Sequence, residues 1–378
     1  MALLRVPLTV FPATLLGLRE LVLRQIVDGA YAVYFLLGTV AALLAGGKIL
    51  TLILVTNIGY LVIMGGSFGL AKLRHPEVEL AWRFWSPGKI WGLFANSFFF
   101  LLYNLGLLFQ RLAGNLLAGK LGALRDVPEM FVLLTLFRVV GWSLADIVSN
   151  TLIPYINGFP LEGRWDRVVF FSKLCTKFTF ALALTYTALI WFYADLGIRL
   201  WLGPGMFLGY GPLACLGAGF LIDVLFLSTN NFMRGLNAHR RLSFVMAGYA
   251  VLSFVLGVAG AKLMPESPLY GLSAGLLAAS VLGQGLPLVW LTGRWVGLGL
   301  REFLDHFLFR PALLSAAAGA IYLGARLGKL HGPWGLACET VAVLTVLPAV
   351  CWWMVFDAEE REWLSGLFAH FRLSEVMK

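Results

Sequence analysis

Residues 91–111, WGLFANSFFFLLYNLGLLFQR, and residues 129–152, EMFVLLTLFRVVGWSLADIVSNTL, decide the fold of this chain. Each stretch is typical of a helix that is apolar enough to lie in lipid. A connection rich in Gly and basic residues, from Arg111 to Pro128, joins them, and Pro154 ends the second. Polar groups nevertheless lie at or within the hydrocarbon: Gln110, Arg111, Arg138, Asp146 and Asn150. Because such charges are costly, each needs a partner or a water-filled cavity, and we expect this pair to carry the function.

Composition indicates a membrane protein. The 378 residues are 60% hydrophobic and 13% charged, whereas soluble domains carry roughly 25% charge. Runs that are apolar on every side exclude the alternating strands of a β-barrel. We therefore predict an all-α polytopic membrane protein with about 10 or 11 spans of roughly 20 residues. The predicted cores are 27–46, 49–71, 91–110, 129–153, 170–193, 207–230, 243–262, 269–292, 308–326 and 334–356, with a weaker candidate at 1–18.

The net charge of +9 is explained by membrane topology and not by a nucleic-acid partner. Lys and Arg concentrate in alternate loops, which predicts that those loops and the C-terminus are cytoplasmic. We expect an integral protein of the cytoplasmic (inner or plasma) membrane. The basic, aromatic loop from Lys72 to Lys89 is the best boundary between two lobes.

The predicted organisation has four parts. They are a partial N-terminal lobe at 1–90, a six-helix lobe at 91–298, a final transmembrane hairpin at 299–357 and an amphipathic cytoplasmic tail at 358–378. Asp357 and Glu360 are typical of a helix N-cap and its capping-box acid. The helix after them is too short to span a bilayer, so it should lie along the membrane surface.

The second helix of the central pair carries a polar arc. At about 100° per residue, one face collects Thr135, Arg138, Trp142, Asp146 and Ser149. Two interpretations stay open: an Arg138–Asp146 ion pair that joins helices, or the wall of a polar cavity.

Three further charges fall in later spans. Lys173 and Lys177 lie one turn apart. They either snorkel to the interface or, with Arg164 and Arg167, form a mouth that attracts anions. Asp223 is either a proton or cation site or the partner of a structural cation such as Arg138.

Sequence motifs give no support to catalysis. GxSxG occurs at Gly65–Gly69 and Gly271–Gly275, which 42 glycines explain by chance. These glycines suit close helix packing better than a hydrolase elbow. No His/Cys cluster has metal-ligand spacing. We therefore predict no enzyme activity, no catalytic residues, no metal and no cofactor.

Several motifs together resemble polysaccharide flippases of the Wzx type, in the multidrug/oligosaccharidyl-lipid/polysaccharide exporter superfamily. They are Gln110–Arg111, Gly119–Lys120–Leu121–Gly122, Arg138, Pro154, the turn Leu200–Trp201–Leu202–Gly203 and the acidic tail from Asp357 to Leu364. The pattern covers most of the chain, and spans 27–71 resemble the family's fifth and sixth. Roughly the first four spans of the family therefore have no counterpart here, and the chain is expected to be a fragment or a minimal variant.

The resemblance implies a transporter that moves a lipid-linked oligosaccharide across the membrane for cell-surface polysaccharide biosynthesis. It would alternate access between two bundles. Substrate-binding candidates are Gln110, Arg111, Arg138, Asp146, Ser149, Asn150, Lys173 and Lys177, with Asp223 as the coupling-ion candidate. Arginine suits a pyrophosphate because its planar fork is always charged. Expected partners are the lipid-linked saccharide, membrane lipids and polysaccharide polymerase or assembly proteins.

Three alternatives stay open. One is a cation-coupled drug or metabolite antiporter of the same fold. Another is a polytopic enzyme acting on lipid-linked sugars, which would need an essential loop carboxylate such as Glu162 or Asp166. The third is an assembly partner that does not itself transport.

Overall fold

A computed structural model of the chain describes residues 14–15, 18, 20–77, 86–121, 126–146, 159, 163–235, 238–296, 301, 304–327 and 332–366. The described residues form helices and no strand. They divide into two compact units, Met1–Ile90 and Trp91–Lys378. The prediction of an all-α polytopic membrane protein is confirmed.

The first unit is an antiparallel helical hairpin. Helix α1 runs from Leu21 to Leu44 and α2 from Ile49 to Arg74, with a tight turn at Gly46, whose φ is 71°. The two helices cross at Gly59, where an added methyl group would lie 1.8 Å from the Tyr34 ring. The Tyr34 hydroxyl donates to the carbonyl of Val55 at 2.9 Å. A small residue thus lets the ring cap the neighbouring backbone.

The second unit contains the remaining helices. Their bounds are α3 Pro87–Leu121, α4 Asp126–Thr135, α5 Trp165–Leu202, α6 Tyr210–Leu225, α7 Leu227–Gly235, α8 His239–Leu263, α9 Pro268–Ala279, α10 Leu286–Val296, α11 Arg310–Leu327 and α12 Gly332–Val350. A short helix follows at 358–366, here α13. Four widened π-helical turns interrupt the pattern, at Leu136–Gly141, Ser280–Gly285, Asp305–Phe309 and Cys351–Val355.

Among the described residues, eight helical segments are long and apolar enough to cross a membrane. They are Val22–Leu44, Ile49–Arg74, Val127–Asp146, Trp165–Leu202, Tyr210–Arg234, Arg240–Leu263, Pro268–Arg294 and Gly335–Val355. The other two predicted spans, 91–110 and 308–326, are helical but are not among these eight. Helix α11 is rich in Ala and Gly and begins with Arg310, which lowers its apolar character.

The predicted connection from Arg111 to Pro128 is wrong in its first half. Helix α3 continues unbroken to Leu121, because Ala113, Leu117 and Ala118 supply a fully packed face. The pair Gln110–Arg111 therefore lies well inside a helix and not at its end.

Glycines bring α8 and α9 into backbone contact. A methyl group at Gly260 would lie 2.1 Å from the Gly271 carbonyl oxygen, and one at Gly275 would lie 2.1 Å from the Leu256 carbonyl oxygen. The prediction that the Gly271–Gly275 motif serves helix packing is confirmed. It is wrong for the earlier motif, because a methyl group at Gly65 or Gly69 meets no atom within 4 Å.

Ion pairs attach the acidic tail to Lys177 of α5. The Lys177 ammonium donates to Asp357 Oδ2 at 2.9 Å and to the Glu360 carboxylate at 2.7 and 2.9 Å. Arg310 holds the other Asp357 oxygen at 2.7 Å. The Asp357 backbone N–H donates to Glu360 Oε2 at 2.8 Å, which confirms the predicted capping acid.

Candidate functional site

Arg138 lies in a widened turn in the middle of an apolar span. The turn, Leu136–Gly141, sits within the segment Val127–Asp146. Gly141 has the Phe220 and Tyr186 rings within 2.9 Å of where a methyl group would be, so the helix packs closely there. Such π-helical turns occur often at functional sites, since they redirect side chains.

The Arg138 guanidinium bridges to α3 through backbone groups. Its Nη1 donates to the carbonyl of Gln110 and, at 3.4 Å, to that of Arg111. A carbonyl carries only a partial charge, so these bonds position the guanidinium without neutralising it. The Arg138–Asp146 pair, one of the two open interpretations, is not formed.

Arg111 is held by an aromatic ring. Its guanidinium carbon lies 5.1 Å from the centroid of the Trp142 ring, a cation–π contact. Across the part of the chain that the structure describes, no carboxylate forms an ion pair with Arg111 or Arg138. Two positive charges therefore lie side by side among apolar helices.

Both arginines line one cavity with about 420 Å³ of empty space, its mouth included. Its walls come from α3, the end of α4 with the widened turn that follows it, α6, α9 and the widened turn at 280–285. The lining residues are Gln110, Arg111, Leu134, Phe137, Arg138, Trp142, Cys215, Leu216, Gly219, Phe220, Asp223, Leu276, Leu277 and Ser280. The space inside it that a water-sized molecule can occupy is only about 20 Å³, so in this conformation the cavity holds about one water molecule and would have to widen to take a larger ligand.

Asp223 ends a hydrogen-bonded network on the far wall. The Tyr249 hydroxyl donates to its carboxylate at 2.8 and 3.0 Å and also lies 2.6 Å from Ser280 Oγ. Gln110 Nε2 donates to the same hydroxyl at 2.8 Å. The expectation that Arg138 pairs with Asp223 is wrong at the level of contacts, although both residues line this cavity.

A second cavity adjoins the first and shares Arg111 and Trp142 with it. Its volume is about 320 Å³, and it is lined by Tyr103, Asn104, Leu107, Leu108, Arg111, Trp142, Asp146, Leu227, Asn231 and Arg234. Asp146 belongs here, where it accepts from Asn231 Nδ2 at 3.3 Å. Arg138 and Asp146 are eight residues apart, about 12 Å along the helix axis, so the predicted arc divides between two cavities.

No family model, curated protein or solved structure matches this chain. The chemistry of its cavities therefore carries the functional argument. A guanidinium pair, a tyrosine-bound carboxylate and an aromatic wall suit a ligand that has both anionic and apolar parts.

The remaining predicted residues fall elsewhere. Lys177 is 2% exposed and is bound by two tail carboxylates, so we place it in the tail attachment and not in a substrate site. Lys173, one turn earlier, lines neither cavity described above. Ser149, Asn150, Pro154 and Glu162 lie outside the described residues.

Sequence reasoning missed Tyr249, Ser280 and Asn231 as members of the site. Tyr249 and Ser280 are uncharged residues within apolar spans, where a single hydroxyl group gives no clear signal of a site. A usable signal did exist: Ser280 and Gln284 belong to SVLGQG, whose glycines accompany the widened turn, and Gly283 packs on Tyr249.

Proposed function

We propose that this protein is a transporter that moves a lipid-linked oligosaccharide between membrane leaflets. The supporting observation is the pair of guanidinium groups, Arg138 and Arg111, that line a cavity inside an apolar helical unit and form no ion pair with a described carboxylate. Arg138 lies within a segment apolar enough to cross a membrane, where an ionisable side chain is costly and usually marks a function. Asp223 in the same cavity offsets one of the two positive charges, and an anionic passenger would offset the other.

The diphosphate of a prenyl-linked sugar fits this site chemically. Arginine can grip two phosphate oxygens through parallel N–H groups, and its planar fork keeps its charge at any physiological pH. Trp142 offers an apolar, stacking surface next to Arg111. The prenyl chain would remain in lipid, outside the cavity.

The cavity would have to open for the sugars to pass. Its free space of about 20 Å³ admits about one water molecule, so the headgroup too requires this opening. Alternating access, in which one bundle rocks against another, provides that opening in many transporters. The widened turns at 136–141 and 280–285 are places where helices can shift phase.

A translocation assay tests the proposal. The full chain is placed in proteoliposomes that contain a fluorescent prenyl-diphosphate-linked saccharide, and a membrane-impermeant quencher reports leaflet exchange. We expect Arg138→Gln to slow translocation roughly tenfold or more, since one charge-assisted hydrogen bond is worth about that much. Arg240→Gln is the matched control, because Arg240 is exposed and stacks on Phe99 outside both cavities.

Three results would contradict the proposal. One is wild-type exchange no faster than in empty liposomes. Another is equal rates for Arg138→Gln and Arg240→Gln. Exchange of an uncharged prenyl-linked sugar as fast as the diphosphate would also remove the role of the guanidinium pair.

A cation-coupled antiporter is the second candidate, and Asp223 is the observation that favours it. Its carboxylate is 4% exposed and lines the same cavity as Arg138. Drug export by such a protein would depend on this acid and not on the arginines. Asp223→Asn that abolishes transport of a cationic dye, while Arg138→Gln leaves it intact, would favour this candidate.

A further inference from the structure

Arg234 is a cation that the sequence argument did not assign to a site. It lies in the last turn of α7 and faces the second cavity. Its guanidinium carbon is 5.5 Å from the Phe100 centroid and 5.4 Å from the Tyr103 centroid. Two α3 rings therefore hold it in place, and neither ring neutralises its charge.

The hydrogen-bonding capacity of Arg234 is largely unused. Nη1 donates to Asn231 Oδ1 at 3.1 Å. Nε is buried and finds no acceptor among the described residues. A buried donor without a partner is costly, so its presence calls for an explanation. A ligand with several oxygen acceptors would supply one.

The Asn231 side chain lies between Asp146 and Arg234 and forms a hydrogen bond with each. Its amide oxygen accepts from Arg234, and its amide nitrogen donates to Asp146 Oδ1. Asp146 forms no ion pair with Arg234 or Arg111 within the described ranges. The second cavity thus presents two guanidinium groups and one carboxylate, a net charge of about +1 before any ligand enters.

We propose that Arg111 and Arg234 form a phosphate-binding subsite in the second cavity, and that it takes the diphosphate of an amphiphilic lipid. Aromatic rings at 100, 103 and 142 surround the two cations and suit the apolar chain next to the phosphate. Arg111 lines both cavities, so it can hold the same anion as it passes toward Arg138. This inference rests on the proposed function and names its binding step.

Calorimetric titration of the full chain in detergent tests the subsite. The ligands are farnesyl diphosphate, farnesol and inorganic pyrophosphate, which separate a lipid phosphate from the lipid alone and from the free anion. We expect farnesyl diphosphate to bind most tightly. Arg234→Gln should weaken its binding about tenfold or more, Arg234→Lys should weaken it less, and Arg240→Gln should not change it.

Weaker binding by Arg234→Gln could also come from misfolding, and the variant Asp146→Asn distinguishes the two causes. Asparagine keeps an oxygen acceptor for Asn231 and removes the negative charge, so farnesyl diphosphate should bind several-fold more tightly. Unfolding cannot produce such a gain. The subsite is excluded if Arg234→Gln and Arg240→Gln bind alike, if Asp146→Asn weakens binding, or if farnesol binds as tightly as the diphosphate. Arg234-dependent binding without leaflet exchange would overturn the proposed function alone.

Discussion

Replacing Lys177 by Met should release the tail helix α13. The Lys177 and Glu360 side chains are 1% and 2% exposed, so their charges are almost fully removed from water. Removing one partner of such a pair leaves a buried charge uncompensated, which costs about 3–5 kcal/mol. If α13 opens as a local unit, that loss raises the open population by roughly a hundredfold or more.

Tryptic cleavage at Arg361, inside α13, measures this opening. Its rate follows the open population when opening and closing are fast relative to cleavage. The double variant Lys177→Met/Glu360→Gln should recover most of the protection, because Gln is neutral and can still accept from the Asp357 N–H. Lys173→Met is the control one turn away. Equal cleavage rates in Lys177→Met and Lys173→Met would refute the role of the buried pair. If Lys177→Met slows translocation while its tail stays protected from cleavage, Lys177 contacts the substrate instead.

Two further predictions concern packing and pH. Gly260→Ala should destabilise the protein by about 1–3 kcal/mol, because the methyl group would meet the Gly271 carbonyl, whereas Gly248→Ala on the same helix meets no atom within 4 Å and should cost nothing. Thermal unfolding of the two variants compares them, and equal losses would contradict the contact. Burial, together with the charge of Lys177 and other nearby cations, lowers the pKa of His306 from 6.5 to about 4. The unfolded chain therefore binds the extra proton first, so stability should fall as pH drops from about 6.5 toward 4. His306→Gln should flatten that slope, and an unchanged slope would contradict the assignment.

The fold class could be predicted because hydropathy is a property of composition. Long apolar runs have few structural solutions in lipid, so the spans follow from length alone. The ends of the helices were harder to predict from the sequence. Nothing in RLAGNLLAGK announces a loop or excludes one, and only the packing of Ala113 and Ala118 keeps α3 helical to Leu121.

The site could be predicted only in part, for a geometric reason. A shared helix face does not place Arg138 and Asp146 in contact, because they lie eight residues apart, which spans about 12 Å along the axis. Arg138 then meets backbone carbonyls of α3, and Asp146 meets Asn231. Tertiary contacts such as Tyr249 with Asp223 join residues 26 positions apart, and no local pattern encodes them.

The role of Lys177 also depends on contacts that are distant in sequence. Its position on α5 is compatible with an interfacial cation or a substrate contact. The tail residues Asp357 and Glu360 decide between these, and they are separated from it by 180 and 183 positions. The prediction of a capping acid at Glu360 succeeded because that motif is local.

Alkylation of Cys215 tests most directly whether the cavity beside Arg138 takes an anion. The Cys215 side chain lines that cavity, while Cys175 and Cys351 are buried and Cys338 is exposed elsewhere. The protein is exposed briefly to a small maleimide reagent, and mass spectrometry of the peptide that contains Cys215 gives the rate at which this thiol is modified. The account predicts that farnesyl diphosphate slows this rate, that farnesol does not, and that Arg138→Gln abolishes the protection. Equal rates with and without the diphosphate in the wild-type protein, at a concentration that saturates binding, would contradict it.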